Sequence, residues 1–65
     1  MTKFSLFKDN KIIIENYKVL KDIDLNSIVV DEYKIEGEFL KINKMDSYYI
    51  LINGKINSII IMGNN

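Results

Sequence analysis

Along the chain, apolar and charged residues alternate in short runs, without the sustained three- and four-residue spacing that an amphipathic helix requires. Tyr33 and Ile35 alternate with Lys34 and Glu36, and Phe39-Leu40 sits between Glu38 and Lys41. Asp, Asn, Gly and Ser clusters break these runs, as turn residues do. The pattern predicts seven short strands near Lys3–Phe7, Lys11–Glu15, Tyr17–Leu20, Ser27–Val30, Tyr33–Glu36 and Phe39–Asn43, with Tyr48–Ile52 and Lys55–Met62 counted together as one hairpin. Asn53-Gly54 between the last two runs is the sharpest local signal, since both residues tolerate the positive φ of a type I′ turn. Val19–Ser27 could hold one helical turn, but alternation of Ile23 and Leu25 with outward Asp22 and Asp24 is simpler. Gly37, between two glutamates, marks a bulge or tight bend.

Composition reinforces β structure. Thirteen Ile, four Tyr, three Val and three Phe stand beside no Ala, Gln or Arg, so strand formers abound while several good helix formers are missing. The expected fold is therefore all-β: a small antiparallel meander folded as a roll or sandwich, with a short β-solenoid as the rival. At 65 residues the chain makes one domain, 1–65, with residues 63–65 a frayed end. A domain this small is marginal alone, and it has neither Cys nor His to supply a disulfide, a thiolate or imidazole metal site, or a nucleophile–imidazole pair. Assembly or docking onto a larger partner remains as the source of extra stability.

Nine Lys balance nine acidic residues, so the net charge is zero and the basic excess of a nucleic-acid binder is absent. Tyr17, Tyr33, Tyr48 and Tyr49 with Lys18, Lys34 and Lys41 could stack single-stranded bases, but tyrosines in strands ordinarily pack against their neighbours. No nucleic-acid partner is expected. The longest apolar runs, Ile12–Ile14, Tyr48–Ile52 and Ile59–Met62, are far short of the roughly 20 residues of a spanning helix. The N-terminal apolar patch is too brief for a signal peptide. A soluble, cytoplasmic protein without a direct membrane span is the expectation.

Catalysis finds little support. Ser5, Ser27, Ser47, Ser58 or Thr2 would need a Lys or a carboxylate as base, and the carboxylate pairs Asp22/Asp24, Asp31/Glu32 and Glu36/Glu38 read as solvated strand faces. Asp22-Ile23-Asp24 lacks the further ligands and the glycine of a calcium loop. No catalytic residue, metal or cofactor is assigned, and the chain is read as a non-enzyme.

The C-terminal segments stand out instead. Tyr48–Ile52 and Ser58–Met62 are uncharged, free of Pro and prone to β structure. Ile59-Ile60-Ile61-Met62 is apolar on both faces of a strand, and so is either covered twice or an interface. Tyr48, Ile50, Ile59, Ile60, Ile61 and Met62 are the candidate protein interface, acting through strand edges toward a homo-oligomer or a protein partner.

Tyr33-Lys34-Ile35-Glu36-Gly37, Leu40-Lys41-Ile42, Ile50-Leu51-Ile52-Asn53-Gly54, Ile56 and Ser58-Ile59, with Ile12-Ile13-Ile14-Glu15-Asn16-Tyr17 upstream, form a pattern of strands and glycines over most of the chain, from about Lys11 to Met62. In that pattern the chain resembles the YabP/YqfC family of small sporulation proteins. Val29-Val30-Asp31-Glu32 stands where the family commonly has a Thr and a further Gly. The resemblance implies a non-enzymatic role in spore formation, as a coat-associated protein or the soluble partner of a membrane protein at the forespore boundary. Gly37, Leu40, Gly54 and Ile56 would be structural positions. A small phage or mobile-element protein that inhibits a host enzyme would share the same size and composition.

Overall fold

In the computed structural model, which describes residues 2–8 and 10–62, Gly54 is the pivot of the architecture. It lies inside an uninterrupted strand, with φ of +133°, and two long strands bend together beside it. Six strands form one antiparallel sheet: β1 (Lys3–Phe7), β2 (Lys11–Glu15), β3 (Leu20–Ile23), β4 (Ser27–Val30), β5 (Tyr33–Met45) and β6 (Tyr49–Ile61). Their order is β1-β2-β6-β5-β4-β3. The all-β meander is as expected, and the stacked rungs of a solenoid are not what forms.

The first half of β6 pairs with β2 on one side and the second half of β5 on the other, from Ile14↔Ile50↔Met45 to Lys11↔Asn53↔Lys41. The second half of β6 pairs with the first half of β5, which in turn pairs with β4. Between the halves the register slips, where Phe39 and Leu40 oppose Gly54. The sheet folds over at this point into two leaves, an N-terminal leaf of β1, β2 and the adjoining halves of β6 and β5, and a second leaf of the remaining halves with β4 and β3. Their facing sides form the core: Ile12, Ile14, Ile50 and Ile52 from the first leaf, with Ile28, Val30 and Ile35 from the second, are all fully buried. Leu40 and Ile56 complete it next to the fold line. The radius of gyration, 10.6 Å, is what a compact chain of this length should have.

Both glycines at the fold line are sterically required. A Cβ on Gly37 would lie 1.9 Å from the Lys55 carbonyl oxygen, and one on Gly54 would lie 2.6 Å from that of Phe39. The bulge expected at Gly37 is present, as a register shift between Glu36 and Gly37.

Four expectations are corrected. The Asn53-Gly54 hairpin does not form, because Asn53 and Lys55 both pair with β5, opposite Lys41 and Glu38. The hairpin lies earlier, where the Asp46 carboxylate accepts the Tyr48 and Tyr49 amides at 2.7 and 3.0 Å and the Asp46 amide donates to the Tyr49 carbonyl. Tyr33–Glu36 and Phe39–Asn43 are parts of one strand, which takes the seven expected strands, the last pair already counted as one, to six. Finally, Tyr17–Leu20 is not a strand. Asn16 turns the chain at φ +61°, the Lys18 and Val19 amides donate to the Asp31 carboxylate, and β3 begins only at Leu20. Ile23 and Leu25, expected to alternate inward, are both exposed.

Candidate protein interface

The ladder between β2 and β6 ends at Lys11↔Asn53, so beyond that row β6 has β5 on one side and, among the described residues, no strand on the other. Lys55–Ile61 is therefore an edge, with alternate backbone amides and carbonyls turned away from β5. On this edge Ile59, Ile60 and Ile61 are 38%, 41% and 69% exposed. Ile59 pairs with Ile35 and Ile61 with Tyr33, placing them on the core-facing side, while Ile60 pairs with Lys34 on the outer side. The edge is apolar on both faces, and no charged residue lies between Lys55 and Met62 to discourage another strand.

The other candidate residues divide. Met62 continues the edge, half-buried, its amide donating to the Glu32 carbonyl at 2.7 Å. Tyr48 is exposed but sits in the turn that precedes β6, away from the Ile59–Ile61 run along the strand. Ile50 is corrected: it is fully buried among Ile14, Ile52 and their neighbours, because its side chain points between the leaves.

Asp31 and Glu36 are bonded within the fold. Asp31, itself at φ +54°, accepts the Val19 amide at 2.8 Å, the Lys18 amide at 3.0 Å and the Thr2 hydroxyl at 2.8 Å. Burial works to raise its pKa, but these hydrogen bonds and the Lys18 charge outweigh burial and hold the carboxyl below its ordinary range. Asp31 and Tyr33 border a shallow open cleft of about 420 Å³, in which the Asp31 carboxylate is already bonded to the Thr2 hydroxyl and the Lys18 and Val19 amides. Glu36 pairs with Lys34 at 3.6 Å and accepts the Ser58 hydroxyl at 3.3 Å. Among the described residues no three acidic side chains gather as a metal site would need, and no helix is long and apolar enough to cross a membrane.

Two features were missed from the sequence. Phe39, at φ +54°, is 78% exposed in the middle of β5. A lysine-rich outer face on the N-terminal leaf becomes visible only once the register is known. The fold defines a small all-β domain built on a folded antiparallel sheet. Comparison of the chain with family models, curated proteins and solved structures finds no match.

Proposed function

We propose that this chain is a non-enzymatic structural protein that assembles through the open edge of β6. The supporting observation is the Lys55–Ile61 edge, unpaired on one side and carrying Ile59, Ile60 and Ile61 exposed on its two faces. Such an edge is a template for another strand. A second copy suits it, since an antiparallel pairing about a two-fold axis would set uncharged residues against uncharged residues through the run. The setting implied by the YabP/YqfC resemblance is spore formation, in the coat or a forespore-boundary complex, with a membrane or coat protein as the other candidate partner.

Light scattering coupled to size-exclusion chromatography over a concentration series tests the reading. The wild-type chain should associate with rising concentration, and Ile60→Lys should shift the equilibrium toward monomer. Ile60 faces outward, so the variant should keep its fold, with an unfolding midpoint close to that of the dilute wild-type chain. A wild-type monomer at every concentration, or an Ile60→Lys species of unchanged size, would remove the edge as the interface.

A further inference from the structure

Asn53 and Gly54 do not form the expected turn, but the pair carries a chemistry of its own. Asn53 alone among the asparagines of the chain is followed by glycine. With no Cβ on the following residue to obstruct it, the Gly54 amide nitrogen can attack the side-chain carbonyl carbon of Asn53, Cγ. The attack forms a bond from the Gly54 nitrogen to Cγ, breaks the bond from Cγ to Nδ2, and expels that nitrogen as ammonia, leaving a five-membered succinimide. Water then opens the ring at one of its two carbonyls. One opening gives aspartate and the other isoaspartate, in which the main chain runs through Cβ and Cγ. In sum one water is consumed and one ammonia released, with no oxidant or cofactor involved.

The fold holds this reaction off. Asn53 lies in a continuous strand, paired with Lys11 of β2 on one side and Lys41 of β5 on the other. In a strand the side chain stands off the sheet while the next amide lies in its plane, so the flat ring cannot close without breaking the ladder. The Gly54 amide is also engaged, donating to the Asn10 carbonyl at 3.1 Å. Asn53 Oδ1, where negative charge gathers during the attack, is buried and accepts no hydrogen bond among the described residues. Asn10 belongs to the turn that joins β1 to β2, so what restrains the attacking amide is the N-terminal hairpin. β5 pairs with the other side of β6 and can stay in place when that hairpin leaves.

We infer that Asn53-Gly54 is a latent self-modification site, closed while the β1–β2 hairpin is docked on β6 and reactive when the hairpin lifts away. The isoaspartyl product makes that opening permanent. It adds a carbon to the main chain at the fold line, where even a Cβ on Gly54 would lie 2.6 Å from the Phe39 carbonyl oxygen. The rows on either side of Gly54 then no longer fit together, and β2 cannot settle back. The site is separate from the β6 edge and does not depend on assembly there. One contact that holds the hairpin down lies well away from Asn53: the Phe4 ring meets Tyr33 of the other leaf edge-on at 4.8 Å, in the row of Ile14 and Ile50.

The test follows the full chain in mildly alkaline buffer by intact mass and peptide mapping, beside hydrogen exchange of the Gly54 and Ile35 amides. Unfolded in urea, the chain should gain one mass unit at Asn53, and Asn53→Gln should abolish that gain over the same period. Folded, the gain should be at least about tenfold slower. The slowing should match the protection of the Gly54 amide, since one opening frees both. It should fall short of the protection at Ile35, which is fully buried in β5 and opens only with the whole sheet. Phe4→Ala should speed deamidation and Gly54 exchange by a common factor. Chains carrying isoaspartate should lose amide protection along β2 and keep it between β4 and β5. Equal rates in folded and unfolded chains, a deamidation rate that follows Ile35 instead of Gly54, a Phe4→Ala chain in which the two rates part, or isoaspartyl chains with β2 still protected would overturn the proposal.

Discussion

At the scale of single residues, backbone conformation governs this molecule more than side-chain chemistry does. Gly54 carries φ +133° with the Phe39 carbonyl against its missing Cβ, so Gly54→Val combines strain with a clash. A loss of at least about 2 kcal/mol in urea unfolding is expected. Phe39 is the converse case, because a glycine there would release strain and surrender no packing. Phe39→Gly should raise stability by about 1 kcal/mol, read from the same unfolding curves. Asp31 supplies the pH dependence. Its carboxyl is held below its ordinary value in the folded chain, so the folded state binds fewer protons than the unfolded one. The stability it adds is complete above the unfolded carboxylate range, near pH 4 to 5, and is lost as the pH falls through the lower folded value. Asp31→Asn should flatten the acid limb of a stability–pH curve and leave its shape near neutrality unchanged.

At the scale of elements, the sequence revealed β1, β2 and β4 with their observed bounds, because each is a short apolar run closed by polar turn residues. It misled at Asn53-Gly54 for a physical reason. A residue pair that tolerates positive φ serves a bulge as well as a reverse turn, and only the pairing partners distinguish the two. The turn that does reverse the chain, Asp46-Ser47-Tyr48, carries no glycine and depends on the Asp46 carboxylate bonding to two amides. Asp46→Ala should therefore cost about 1 kcal/mol, measured by thermal or urea unfolding. The edge residues Ile59, Ile60 and Ile61 were legible because an apolar run on both faces is visible in sequence. Ile50 was not distinguishable from them, since burial depends on which face the folded sheet turns inward. The lysine-rich face was hidden for a related cause: Lys11, Lys41 and Lys44 are scattered in the chain and meet only across the register of three strands.

For the whole molecule, a core of nine buried residues among those described is small, and apolar side chains remain exposed at the open β6 edge and at Phe39. Burying a single exposed isoleucine or phenylalanine is worth about 1.5–3 kcal/mol. Association can thus add a sizeable fraction of the stability available to a chain this short. The unfolding midpoint of the wild type should accordingly rise with protein concentration, and Ile60→Lys should reduce that dependence. A midpoint independent of concentration would mean that the monomer carries all of its own stability.

The strand order also bears on how the chain reaches this state. From β3 onward each strand pairs with its successor, and β1 pairs with β2, so these ladders close over modest separations in sequence. The β2–β6 ladder joins the most distant segments, bringing Lys11 beside Asn53. Closing it is the entropically expensive step, which makes docking of the N-terminal hairpin onto a formed meander the expected last event of folding. Ile14→Val, in β2, should then act mainly by speeding unfolding, with refolding little changed. When chains refold in crowded solution, the same late step leaves the hairpin of one molecule free to complete the sheet of another, so exchange of this segment would accompany concentrated refolding.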